Sequence, residues 1–237
     1  MKQIASILRN VYVKLILSCL ITPLTSASLC LGNEDMRKKI AALNAGWSIH
    51  SLAVGDLNYD RRPDVAAILN KYEKKGDNET STAKLEVYFS EPGGKLTLKT
   101  SAANAVCSQC GGMKGDEIPY SIAIKKGLIL LSYFGGSRNV YSSQTKWRFQ
   151  KDDFYLIGVV TSSTDTLADV GMVRSSTTDV NVSTLTAIKT VETVTSVTQK
   201  NGAVTKSQSS KCKISNAFQK MILSRHSSQD FEAPSCI

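Results

Sequence analysis

Histidine is scarce: His50 and His226 are the only two in a chain of 237 residues, and their spacing does not suit a pair of metal ligands. A zinc site takes four ligands, mostly Cys or His, and the six cysteines contain a single C-x-x-C. The chain has no G-x-S-x-G elbow, no H-E-x-x-H helix and no phosphate-cradling glycine loop, which removes the common hydrolase, metalloprotease and nucleotide-binding signatures. Lysines are scattered as Lys38-Lys39, Lys74-Lys75 and Lys125-Lys126. Without a basic stripe interleaved with aromatics, they read as solvated surface and argue against nucleic acid. No apolar run approaches the roughly 20 residues that a bilayer-spanning helix needs.

The N-terminus has the order of a secretory signal peptide. Lys2, Arg9 and Lys14 precede the apolar run Leu15–Leu24, and Thr25-Ser26-Ala27 supplies small residues at a cleavage position. Cleavage is expected after Ala27 or Ser28, leaving an exported protein, periplasmic or secreted, with no transmembrane span. The formal charge of +9 then falls to +6 with the loss of those three basic residues, which suits anionic envelope material. Cleavage also removes Cys19 and leaves Cys30, Cys107, Cys110, Cys212 and Cys236. Export permits disulfides, and proximity in sequence suggests Cys107–Cys110 and Cys212–Cys236.

The fold class expected is mainly β, an antiparallel meander with one N-terminal helix, in two parts, 33–160 and 161–237. Asn33 can cap a helix to Ala45, with Met36, Ile40 and Leu43 on its inner face and Gly46 as its stop. Trp47–Val54 and Val65–Tyr72 read as strands, and charged, polar Lys74–Ala83 as an exposed loop. Leu85, Val87 and Phe89 alternate with Lys84, Glu86, Tyr88 and Ser90, the signature of a half-buried strand. Pro92-Gly93-Gly94 turns it into a hairpin with Leu96 and Leu98. Tyr120–Lys125, Leu128–Phe134, Tyr141–Gln150 and Phe154–Val160 follow as strands joined by turns, one of them Gly135–Arg138.

From Thr161 to Ser210, 21 of 50 residues are Ser or Thr and none is aromatic. That composition fits a stalk or β structure. Thr161–Ser175 reads as a loop and the remainder as strand. Asn201-Gly202 suits a hairpin turn pairing Val191–Gln199 with Ala203–Ser207. Phe218–Leu223 reads as a short helix.

The stretch with the clearest chemistry is Ala53–Leu69. Asp56, Asn58, Asp60 and Asp64 occupy positions 1, 3, 5 and 9 of a loop that runs into an apolar strand. Side-chain oxygens at alternate positions can curl around one hard cation, and calcium takes six to eight of them. The loop resembles those of FG-GAP or VCBS-type repeats, D-x-[DN]-x-D-G-x-x-D before a strand, although it occurs once and Arg61 replaces the glycine. That resemblance implies calcium ligation by Asp56, Asn58, Asp60 and Asp64, with the Arg62 carbonyl as a fifth ligand. Cys107-Ser-Gln-Cys-Gly-Gly112, Tyr133-Phe-Gly-Gly-Ser137, Trp147-Arg-Phe149 and Asp153–Gly158 together resemble a group of exported bacterial proteins, which implies export and a β meander but no activity.

Cys107-x-x-Cys110 is read as a structural disulfide in preference to a metal site or a redox pair, because glycines and strands surround it. No catalytic residue stands out. These features favour a non-enzymatic envelope or extracellular binding protein whose partner is a protein or an anionic glycan. An inhibitor or immunity-type protein against a toxin or cell-wall hydrolase is the alternative, and an envelope thiol oxidoreductase or hydrolase a weaker one.

Overall fold

Five consecutive residues, Val65, Ala66, Ala67, Ile68 and Leu69, have no solvent exposure. Successive strand side chains point to opposite faces, so this strand must be covered on both. The covering layers define the architecture. A computed structural model describes residues 25–75, 78–114, 118–165, 172–196 and 203–228.

Strands β1 (Ser48–Gly55), β2 (Asp64–Lys75), β3 (Asn78–Ser90) and β4 (Leu96–Ala102) form a four-stranded antiparallel sheet in chain order. On one face lies helix α1 (Thr25–Leu43), whose Met36 and Ile40 pack on Val65, Ala67, Leu69, Tyr88 and Leu96. On the other, Ala66, Ile68, Leu85 and Val87 join the main core beneath a second sheet. Each fully buried Val, Leu or Ile stabilises by about 1.5–3 kcal/mol.

The helix begins earlier than its expected cap. Asn33 lies inside it, because Ala27, Leu29 and Leu31 are good helix formers and no proline interrupts them. It ends where Asn44 turns back on Ile40, with the backbone N–H and Nδ2 each 3.1 Å from the Ile40 carbonyl, before Gly46 at φ +82°. Leu43, expected on the inner face, is 55% exposed. The helix and the loop after β1 together cover this face of β3, so that Glu86, Tyr88 and Ser90 are buried and the strand is not half-buried as its alternation suggested. Their polar groups pair beneath the helix end: the Tyr88 hydroxyl bonds Glu86 and Asn44, and Lys84 Nζ lies 2.6 Å from Glu86. Of the expected loop at 74–83, the described residues 74–75 and 78–83 are strand, paired in the β2–β3 ladder. There Thr80 and Thr82 hydroxyls donate to the carbonyls of Glu73 and Lys71 across the ladder.

The second sheet is a seven-stranded meander: β5 (Tyr120–Lys125), β6 (Leu128–Gly136), β7 (Asn139–Gln150), β8 (Asp153–Asp165), β9 (Met172–Asn181), β10 (Thr186–Ser196) and β11 (Ala203–Lys213). Every neighbouring pair is antiparallel. Two expectations fail here. Within Thr161–Ser175, expected as a loop, residues 161–165 continue β8 and 172–175 begin β9, since Thr, Ser and Val fit a pleated surface; 166–171 lie outside the described residues. Gly135-Gly136 belong to β6, so the turn narrows to Ser137-Arg138. The β10–β11 hairpin forms, from Thr186↔Lys213 to Ser196↔Ala203, with Asn201-Gly202 outside the described residues.

Beyond β11, the expected helix is two 3-10 turns, Asn216–Lys220 and Leu223–Arg225, split where Ile222 bridges Tyr155 of β8. They deliver Leu223 to the core and His226 to the ring of Trp147, with centroids 5.0 Å apart. The two sheets meet closely: a side chain at Gly55 would lie 2.5 Å from Ile124 Cγ2 of β5. Among the described residues no helix is long and apolar enough to cross a membrane.

Candidate functional site

The acidic loop joins β1 to β2, and each carboxylate in it has hydrogen-bond donors. Asp56 accepts from the N–H groups of Asp60 (3.2 Å) and Arg61 (2.8 Å). Asp60 accepts from the Arg62 N–H (2.8 Å), from Asn58 Nδ2 (2.8 Å) and from the Arg62 guanidinium (2.5 Å). Asp64, fully buried, accepts from Leu57 N–H (2.9 Å) and from Ser90 N–H on β3 (3.0 Å). The Arg62 guanidinium also donates to the Ser90 carbonyl at 2.7 Å. The loop therefore ties three strands together.

Its backbone keeps the shape that glycine serves in the resembling repeats. Arg61 is left-handed at φ +67°, as is Tyr59 at +63°, a conformation that costs L-residues about 1 kcal/mol each. Burial pushes the Asp64 carboxyl above its usual range, and the neighbouring charges of Asp60 and Asp56 push the same way against the two N–H donors. A cation among these oxygens would relieve that repulsion. The donor chemistry suits calcium, with Asp56, Asn58, Asp60 and Asp64 and the Arg62 carbonyl as the oxygens that would hold it. Among the described residues, however, no three His, Cys, Asp or Glu side chains are grouped as a metal site, and the Arg62 guanidinium already meets Asp60.

The two glycine motifs form one unit. Cys107 and Cys110 are disulfide-bonded, with Cα atoms 6.1 Å apart. The following glycines lie against the end of β6: the Gly136 N–H donates to the Gly111 carbonyl at 2.8 Å, and the Tyr133 hydroxyl donates to the Cys110 carbonyl at 3.1 Å. A Cβ on Gly112, at φ +68°, would fall 2.8 Å from the Gly136 carbonyl oxygen, and one on Gly135 2.7 Å from that of Gly111. Ser108 donates to the Ser81 carbonyl on β3, so this clasp bridges both sheets. Cys212 is also disulfide-bonded; its expected partner Cys236 lies outside the described residues.

The clasp walls a cavity of about 550 Å³ over one face of the large sheet. Cross-strand register describes its floor, since residues directly opposite share a face. One row runs Ile122, Leu131, Thr145, Val159, Val180 and Ala187; all are buried. Two residues further along each strand, about 7 Å, the row reads Tyr120, Tyr133, Ser143, Thr161, Thr178 and Lys189. The next holds Tyr141, Ser163, Ser176 and Val191. Apolar core thus gives way to a hydroxyl-rich surface as the sheet extends past the small one. A second hollow of about 310 Å³, lined in part by Tyr141, Ser163, Ser176 and Lys189, continues the groove towards Asp165 and Arg174.

His226 closes the cavity's inner end with Ser228, which is anchored by its N–H to the Asn104 carbonyl at 2.8 Å. Burial pushes the His226 imidazole down to about 4. Sequence reasoning paired Cys107 with Cys110 but missed the packing of the glycines that follow on Gly135-Gly136, and missed the groove. The available signal was the alternate-position hydroxyls Thr161 and Ser163, then Ser176 and Thr178, read instead as loop or featureless strand. His50 is remote from His226 in role, its Nε2 lying 3.0 Å from the Tyr120 carbonyl. Compared with known proteins, the chain matches no family model, no curated protein and no solved structure.

Proposed function

We propose that this is a non-enzymatic binding protein that acts outside the cytoplasm, in the periplasm or secreted, and holds its ligand in the hydroxyl-lined groove. One observation carries the reading: a preformed concavity of about 550 Å³, within the range of ligand pockets. Its polar lining is mostly Ser, Thr and Tyr hydroxyls, which bind and orient but do not by themselves drive chemistry. The histidine at its inner end has a pKa near 4, too low for a general base at neutral pH. The signal-like N-terminus and the Cys107–Cys110 bridge support export.

The Asp56–Asp64 loop serves this site from a distance, as a structural calcium loop that holds β1, β2 and β3 in register. Calcium held by these oxygens would take the place of the Arg62 guanidinium in neutralising Asp60. Calcium at a hundred times its dissociation constant adds about 2.7 kcal/mol of stability, so the melting temperature rises with calcium and falls with chelator. An unchanged melting temperature would make the loop a turn braced by its own hydrogen bonds and by Arg62.

Retention of the protein on immobilised envelope polysaccharide and envelope protein tests the groove. Ser163→Trp fills its floor and should abolish retention. Equal retention of the two proteins would move the site elsewhere.

A further inference from the structure

Charge on the groove face is unbalanced. One row beyond Tyr141 and Ser163, the strands carry Asn139, Asp165, Arg174, Thr193 and Lys206 at matched positions. Arg138, in the adjoining turn, lies 3.5 Å from Asp165. With Lys189 from the hydroxyl row, the described residues of this face supply four cations against one carboxylate. Lys189 is exposed, and no described carboxylate pairs with it. Tyr141, 48% exposed, stands between the hydroxyl row and the charged row.

We propose, resting on the groove reading above, that the ligand is an acidic saccharide: a sugar ring stacks on Tyr141, its hydroxyls exchange hydrogen bonds with Ser143, Thr161 and Ser163, and its carboxylate or sulfate meets Lys189. A sugar presents an apolar C–H face and a rim of hydroxyls, which matches an aromatic ring set among Ser and Thr side chains. A peptide is the poorer fit. The floor is the face of a fully paired meander, so its backbone N–H and C=O groups are taken up between strands and cannot add a peptide strand there. A charge-assisted contact to Lys189 is stronger than a neutral one, and at an exposed lysine it weakens with salt.

Isothermal titration of the mature protein with oligogalacturonate, heparin-derived and neutral cello-oligosaccharides of equal length tests this. Acidic oligomers should bind about tenfold more tightly than neutral ones, about 1.4 kcal/mol, and lose that advantage at high salt. Lys189→Gln should erase the preference for acidic oligomers, and Tyr141→Ala should weaken acidic and neutral binding alike. Both positions are solvent-accessible, and matching thermal melts would show that the variants fold. Equal affinity for acidic and neutral oligomers, a preference that survives Lys189→Gln, or no binding by any of the three overturns the inference. If all three fail while Ser163→Trp still abolishes retention on envelope material, the groove stands and only the ligand class falls.

Discussion

Asp64 shows how much one side chain can hold. Its two carboxylate oxygens receive N–H groups from two segments 26 residues apart in the case of Ser90 and 7 in the case of Leu57. Asp64→Ala strands both donors in a site without solvent, and should cost about 3 kcal/mol in a urea unfolding experiment; Asp64→Asn, which keeps one acceptor, should cost less. His226 acts on stability through pH. Its folded pKa of about 4 lies below the unfolded value near 6.5, so between these values the unfolded chain binds the extra proton. Stability therefore falls as pH drops through that window, by about 2 kcal/mol between pH 7 and pH 5. His226→Gln should flatten this part of the pH profile, and an unchanged slope would place the titration elsewhere. Asp64 was legible in the sequence because its loop spacing is distinctive. His226 was not, because only the path of the C-terminal 3-10 turns brings it to Trp147.

At the scale of elements, two loops decide the geometry, and both are strained or crowded. Arg61 adopts a left-handed backbone at a position where glycine is the ordinary residue. Arg61→Gly should stabilise by up to about 1 kcal/mol, the relief being partly offset by the greater freedom of the unfolded chain. Denaturant midpoints check this, and a destabilised variant would mean that the Arg61 side chain contributes something its backbone does not. In the clasp, Gly112→Ala meets both a positive φ and the Gly136 carbonyl. It should destabilise by about 2 kcal/mol and loosen the cavity wall. Alternation located the start of β4, and runs bounded by turn residues located β5 to the residue and the start of β6. The sequence pattern failed at 74–75, 78–83, 161–165 and 172–175, where polar β-formers look like loop because their pairing partners are recognised only in the folded sheet. The same blindness hid the helix over β3, which turns an alternating strand into one buried on both faces.

The described residues form a helix, a small sheet and a larger sheet, with the larger one extending beyond the layer that covers it. Packing explains the covered half: Trp147 and Phe154 are fully buried where the small sheet and the 3-10 turns meet the large sheet. Packing does not require the hydroxyl-lined half, and that surplus surface is the basis for assigning it a ligand. Composition had already registered the surplus as a Ser/Thr-rich stretch, but only the register across β7 to β10 shows which of them, Thr161, Ser163, Ser176 and Thr178, share the groove face with Ser143. Hydrogen–deuterium exchange of the protein with and without envelope polysaccharide tests this assignment most directly. Protection should rise at 141–143, 161–163 and 176–178, the strand segments that form the groove floor. Protection confined to the Asp56–Asp64 loop or to the far face of the sheet, or none at all, would contradict it.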